Sequence, residues 1–414
     1  MAQIAPWMTP ARRERCAWLA DVFAAALAVS LPWSTSATTI LVWLWLVAAL
    51  PAFDLVRLRR VLATPAGGLP VLLVALGLIG MLWAFDVPMK ERWGGFGSFY
   101  KFLFIPVLIL HFQRSERGIW VMNGFLASCT VMLVLSWLAI FGVPLPTSER
   151  GGTGILVKDY IAQSVEFAVC AFLLAAVALK FWQERRIWLV AGLALVVLAF
   201  LANMFEVIPS RTGLVVLPVL LLLFAGRYLS WKGAWGLLVG ALVFAGVIWS
   251  VTPTLRDSVT GMWSEVRDYR PEGIRTRAGE RLEFWNKSIE FITKAPLIGH
   301  GTGSIRDQFR RTVEGQTGMA ALASANPHNQ TFAVAIQLGL VGTIVLFAMW
   351  IAHVLLFARG TGLAAWAGLV IVVQNIVGSL FNSHLFDFLH GWGYVIGVGV
   401  AAGMLFKSEP KPDA

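Results

Sequence analysis

Residues 187–206 read IWLVAGLALVVLAFLANMFE, a run that meets no charged side chain until Glu206 closes it. A second run of the same kind, RTGLVVLPVLLLLFAGRY, fills residues 211–228, and a third begins near Gly233. About 20 consecutive apolar residues are what a helix needs to cross the ~30 Å hydrocarbon core of a bilayer. Inside that core only helices and closed barrels satisfy every backbone amide. The three runs therefore read as three successive membrane-spanning helices. Working outward, similar stretches begin near Cys16, Ser36, Leu69, Ser98, Gly118 and Asp159 before them, and near Asn329, Gly362 and Gly391 after them. The expected fold is an all-α polytopic membrane protein of about twelve transmembrane helices, the second and last of them short.

Composition agrees with lipid as the solvent. Hydrophobic residues make up 58% of the chain and charged residues 14%, against roughly 45–50% and about 25% in soluble domains. The 19 tryptophans and 27 phenylalanines suit the aromatic belts of membrane interfaces. A net charge of +10 does not point to nucleic acid, because the basic residues sit in short groups between apolar runs. Cys16, Cys129 and Cys170 lie in or beside apolar segments at irregular spacing, which reads as buried thiols rather than disulfides or a zinc site. Arg12, Arg13 and Arg15 precede the first run as in a signal peptide. The many similar runs behind it make a retained first span the better reading.

Charge sets the expected orientation. With a cytoplasmic amino terminus, the inner loops hold Arg57, Arg59 and Arg60, then Arg114 with Arg117, Arg185 with Arg186, Arg227 with Lys232, and Arg359. Lys407 and Lys411 extend the pattern to the carboxy tail, while short outer loops hold Lys90, Arg92, Arg150, Lys158 and Arg211. That asymmetry is the positive-inside rule in the inner membrane, with both termini cytoplasmic. Residues 252–327 form one long polar connection on the outer, periplasmic side, dividing the chain into helices one to nine (1–251), a loop domain (252–327) and the last three helices with a tail (328–414). Its eleven Arg or Lys residues do not offend the rule, since long loops translocate regardless of charge. Leu282, Trp285, Ile289 and Ile292 recur at helical spacing and predict a helix there with one apolar face. Ala295-Pro296 stops it, and Gly299, Gly301 and Gly303 mark tight turns.

The candidate chemistry gathers at the outer face. His328, in Asn326-Pro327-His328-Asn329, stands where the loop returns to the membrane. Proline suits the first turn of the next helix, whose positive dipole end would then favour a neutral imidazole able to act as a base. A plain interfacial cap is the alternative. Arg211, in Pro209-Ser210-Arg211-Thr212-Gly213, opens the eighth span, where backbone N–H groups and a guanidinium make an anion site or an interfacial anchor. Arg150, before Gly151-Gly152, and the group Arg275, Arg277 and Arg281 add cations suited to a phosphate or diphosphate, unless Glu280 and Glu283 pair with them. His384, Asp387 and His390 have the spacing of ligands on a helix, but no fourth ligand is apparent and no metal is assigned. Glu166 and Glu206 are carboxylates at membrane depth, able to order an arginine or steer a proton.

His328-Asn329, nine residues and then Gly339-Leu340-Val341-Gly342 resembles the H-[NSQ]-x9-G-x-x-G signature of the O-antigen ligases. Gly279-Glu280-Arg281-Leu282-Glu283-Phe284-Trp285 and Pro296-Leu297-Ile298-Gly299-His300-Gly301-Thr302-Gly303 resemble the loop shared with related polysaccharide polymerases. Ser210-Arg211-Thr212-Gly213 resembles the arginine motif earlier in those chains. The resemblance implies a GT-C-type glycosyltransferase of the periplasmic face that needs neither nucleotide nor metal cofactor. Its donor would be an undecaprenyl-diphosphate-linked O-antigen and its acceptor a sugar hydroxyl on lipid A–core. His328 would be the essential histidine, Arg211 and Arg281 the essential arginines, Arg150 a weaker match, and Arg275, Arg277, Asn329 and Glu166 secondary candidates.

Two rivals remain at this stage. An O-antigen polymerase would lengthen the lipid-linked glycan instead; the R-x10-G pattern of such polymerases is missing from the outer loops. A transporter or flippase of lipid-linked glycans would show paired repeats and polar features near the midplane, which the sequence does not.

Overall fold

The structure, a computed structural model, describes residues 8–145, 152–156, 159–207 and 210–408. The expectations placed on Arg150, Lys158 and Lys411 fall outside the described residues. Helices α1 (Pro10–Ser30), α2 (Thr35–Ala49), α3 (Leu55–Ala63), α4 (Pro65–Ile79), α5 (Met89–Phe96), α6 (Phe104–Phe112) and α7 (Gly118–Ile140) form the first half of the bundle. Then come α8 (Tyr160–Gln183), α9 (Ile187–Glu206), α10 (Arg211–Tyr228) and α11 (Trp231–Val251). The polar connection folds as α12 (Pro253–Arg267), α13 (Arg277–Lys294) and α14 (Ile305–Arg311), and the chain closes with α15 (Gln330–Arg359), α16 (Gly362–Gly378) and α17 (Phe388–Ser408). No strand occurs among the described residues.

Every one of the twelve apolar stretches lies on a helix, but not every one meets the length and polarity of a span. Among the described residues nine helices do, counting α5 and α6 together as one, and the pair α3–α4, bent by 87°, makes a tenth. The multi-pass character stands; the count of twelve is reduced for identifiable reasons. Helix α1 carries Arg12, Arg13, Glu14, Arg15 and Asp21 within its 21 residues, and α16 has only 17. Sequence boundaries are sharp where caps exist. Ser210 accepts from the Gly213 N–H at 3.3 Å to start α10, Thr276 accepts from that of Gly279 at 3.1 Å to start α13, and Pro65 fills the first turn of α4.

One end of the bundle collects the basic loops. Arg114 donates to the Ala52 carbonyl at 2.7 Å, Arg117 to Asp21 at 3.2 Å, Arg227 to the Ala358 carbonyl at 2.8 Å and Lys407 to Glu116 at 3.2 Å. Arg211, Tyr160 and the polar connection meet at the other end. The charge groups separated by sequence alternation are therefore also separated in space.

The loop helix α13 has the expected bounds, ending before Ala295-Pro296, but presents a different face. Phe284, Ser288 and Phe291 are buried, whereas Ile289 is exposed and Leu282, Trp285 and Ile292 are half-buried. Phe284, Ser288 and Phe291 share the i, i+4, i+7 spacing that Leu282, Trp285, Ile289 and Ile292 also approximate, so periodicity gave the helix but not its rotation. Phe284 and Phe291 both pack edge-on against Phe309 of α14.

The glycine motifs interlock. Helix α15 is broken at Gly339, whose φ of 60° and ψ of −153° lie in a region essentially confined to glycine. The carbonyls of Ile336 and Gln337 accept from the N–H groups of His300 and Gly301 at 2.8 and 2.9 Å. Beyond the break, the N–H groups of Leu340 and Val341 donate to Pro296 and Leu297 at 2.8 and 3.2 Å. The 296–303 loop thus takes over backbone bonds the broken helix gives up. A Cβ on Gly339 would stand 2.4 Å from the Leu297 carbonyl carbon. Gly339→Ala is therefore expected to cost about 1–3 kcal/mol in backbone strain alone. Thermal unfolding in detergent measures it, and an unchanged midpoint would contradict the interlock.

Candidate active site

The interlock sets the return of the loop into the membrane, and with it the position of His328. Helix α15 is capped by Asn329, whose Oδ1 accepts from the Phe332 N–H at 3.1 Å and whose Nδ2 donates to Leu380 at 3.2 Å. Pro327 does not start this helix. His328 precedes the cap with a left-handed φ of 53°, so the dipole of α15 is not what acts on it first. Burial depresses the imidazole below its ordinary value, and the Arg281 guanidinium depresses it further; Asn382 and Glu280 act in the opposite sense. A neutral imidazole was expected, and the direction agrees while the cause differs.

A chain of hydrogen bonds fixes the ring. The His328 backbone N–H donates to Asn326 Oδ1 at 2.8 Å, as does the Ser383 hydroxyl at 2.7 Å. That assigns the other end of the carboxamide as NH2, which donates to Asn382 Oδ1 at 3.0 Å. Asn382 Oδ1 also lies 3.2 Å from His328 Nδ1, so Nδ1 must carry the proton and Nε2 the lone pair. Phe284 stacks beneath the ring, 5.8 Å between centroids and 14° between planes, and Trp285 Nε1 donates to the His328 carbonyl at 3.4 Å.

Arginines converge next to it. Arg211, the first residue of α10, makes a two-pronged ion pair with Glu265 of α12 at 3.2 and 2.8 Å. The same carboxylate accepts from the Ala278 N–H at 2.7 Å, in the first turn of α13. Arg211 holds the Glu265 carboxyl below the usual range, with the Ala278 bond helping and burial opposing. Arg277 reaches the Tyr160 hydroxyl at 3.5 Å and lies over its ring. Arg281 is half-buried and makes no ion pair or hydrogen bond among the described residues. Burial lowers its pKa, and Arg211 and Arg277 lower it further while Tyr160 and Glu265 offset part of this. A positive field with one unmatched guanidinium faces a neutral imidazole.

Not all the candidates join this cluster. Arg275 is exposed and pairs with Glu280, and Asn329 is consumed in capping. Glu166 lines a separate cavity of about 110 Å³ with Gln374, His390 and Tyr394. Glu206 accepts from Thr252 at 3.4 Å. Asp387 caps α17, accepting from the Leu389 N–H at 3.0 Å, and the His384 and His390 rings pack edge to face at 4.0 Å. Phe284 lay in a quoted motif without a role, and Glu265, Tyr160 and Asn382 are the members that sequence reasoning missed. No local signal marks them: Glu265 is 54 residues from Arg211, and Asn382 is 54 from His328.

The stretch that carries α10, the loop helices and the broken α15 is also the one that known sequences recognise. Residues 207–347 match the O-antigen ligase family, Wzy_C. The matched span includes Arg211, Glu265, Arg277, Arg281, His328 and both halves of the glycine interlock. No curated protein matches the chain.

Glu265 ties the matched segment together, because one carboxylate holds both Arg211 and the start of α13. Glu265→Ala is expected to lower stability by about 1–3 kcal/mol, leaving Arg211 and the Ala278 N–H without their acceptor. Glu265→Gln, which retains one oxygen, is expected to lose less. Thermal midpoints of the two variants in detergent decide it, and equal midpoints would remove Glu265 from this role.

Proposed function

We propose that the protein transfers a finished glycan from undecaprenyl diphosphate to a sugar hydroxyl of lipid A–core, at the periplasmic face of the bacterial inner membrane. Lipid-linked glycan transfer is the chemistry of the family that residues 207–347 match. The observation that carries the reading to this chain is the unmatched, half-buried Arg281 beside the neutral, ring-fixed His328. A site that desolvates a guanidinium without giving it a carboxylate is built for an anion that arrives from outside.

The proposed step uses only these groups. The acceptor O–H gives its proton to His328 Nε2 as its oxygen bonds to the anomeric carbon. The bond from that carbon to the diphosphate oxygen breaks, and the departing electron pair settles on the diphosphate. Arg281, with Arg211 and Arg277 behind it, stabilises that charge. Attack opposite the leaving group inverts the anomeric configuration. Both termini then lie in the cytoplasm with the basic end of the bundle, consistent with the positive-inside pattern. Arg150 belongs to the same proposal as a further cation from the outer loop.

The test is transfer by purified protein in nanodiscs, given lipid-linked O-antigen and lipid A–core with EDTA and without nucleotide. Laddered lipopolysaccharide is the expected product. Lengthening of the donor without transfer to lipid A–core would replace this reading with a polymerase, and donor translocation without either product would replace it with a flippase.

A further inference from the structure

A second opening meets the His328 segment through a different set of elements. It is a cleft of about 670 Å³ between α5, α14 and the turn joining α16 to α17, with Asn326 and Ser383 in its wall. Lys90 and Glu91 line it from α5, and Arg306 and Arg310 from α14. Arg310 reaches Glu91 Oε1 at 3.4 Å. Glu91 Oε2 is buried and has no hydrogen-bond partner among the described residues. Lys90 and Arg306 are exposed to the cleft and make no ion pair among the described residues.

Those features ask for a particular occupant. Glu91 is paired with Arg310, which leaves Lys90 and Arg306 as the free charge of the cleft. Two unpaired cations at the same cleft give a preference for negative charge. Asn326 and Ser383, at its end, are the side chains that hold His328 in place. The arginines assigned to the diphosphate come from α10 and α13, whereas the cleft comes up to the neighbours of His328, Asn326 and Pro327, from α5 and α14. A displacement at carbon needs its nucleophile on the side away from the leaving group.

We propose that this cleft binds the sugar acceptor, and that Lys90 and Arg306 select an acceptor bearing phosphate groups. The inference rests on the glycan-transfer reading and deepens it by assigning the second substrate's place.

The experiment is steady-state transfer by the full chain in nanodiscs, with phosphorylated lipid A–core and the same glycolipid after enzymatic dephosphorylation. The wild type is expected to show a lower KM for the phosphorylated acceptor. The double variant Lys90→Ala/Arg306→Ala is expected to raise that KM about tenfold, while the donor KM stays within about twofold. In that variant the two acceptors become equivalent, and Lys90→Arg/Arg306→Lys restores the preference. Thermal midpoints matching the wild type show that the variants are folded. Equal wild-type KM values for the two acceptors, or a rise in donor KM in place of acceptor KM, would overturn the cleft assignment alone. No product from the wild type with any acceptor would overturn the transfer reading and this inference with it.

Discussion

His328→Asn protein is expected to fold and to bind both substrates, yet to transfer glycan about 10²–10⁴-fold more slowly than the wild type, the range attributed to a well-placed general base. Asparagine is the informative replacement, because position 328 has a φ of 53° and asparagine tolerates that region better than alanine does. The backbone N–H bond to Asn326 and the Trp285 contact to the carbonyl survive the change. What disappears is Nε2, the only ring nitrogen left as an acceptor once Asn382 has fixed Nδ1 as a donor. Asn382→Leu is expected to reproduce part of the loss, since the ring then samples both tautomers. Single-turnover transfer with saturating substrates isolates the chemical step. Wild-type rates in His328→Asn would remove His328 from catalysis, whatever the fold.

Much of the molecule was legible because its signals are local. Apolar runs located a helix at every expected position, and Ala295-Pro296 ended α13 where proline chemistry requires. The motifs also named His328, Arg211 and Arg281 as candidates, and the structure places Arg281 near both of the others. The misreadings share one cause, which is that their physics acts through space. The spacing that predicted α13 fits two faces, and only the packing of Phe284 and Phe291 against Phe309 decides between them. Arg211 was read as an anion site or an interfacial anchor, and its ion pair with Glu265 from another helix was not foreseen. The glycines of 299–303 were read as turn formers. Their further constraint is contact with other backbone: a Cβ on Gly299 would lie 2.5 Å from the Gln337 carbonyl carbon, and one on Gly303 would lie 2.4 Å from the Glu91 carbonyl oxygen. His328 was expected to owe its neutrality to a helix dipole, a sequence-visible feature. Burial and a guanidinium from α13 supply it instead.

Arg281 provides the sharper separation between a binding role and a catalytic one. Removing a group that stabilises charge developing in a transition state costs about 10²–10³ in turnover, and Arg281→Gln is expected to fall in that range. Arg275→Ala, by contrast, removes an exposed charge already paired with Glu280 and is expected to leave transfer near wild type. Arg281→Gln should also change the pH profile in a predictable sense. The positive charge of Arg281 opposes protonation of His328, so deleting it raises the His328 pKa. A base works only when deprotonated, so the acid limb of kcat/KM moves to higher pH and activity is lost earlier on acidification. Lysine at 281 keeps the charge, so its acid limb stays near that of the wild type. Its turnover still falls, because a point charge does not reproduce the two-pronged fit of a guanidinium to phosphate oxygens. A profile whose acid limb is the same in Arg281→Gln as in the wild type would mean that the titrating base is not the imidazole beside Arg281.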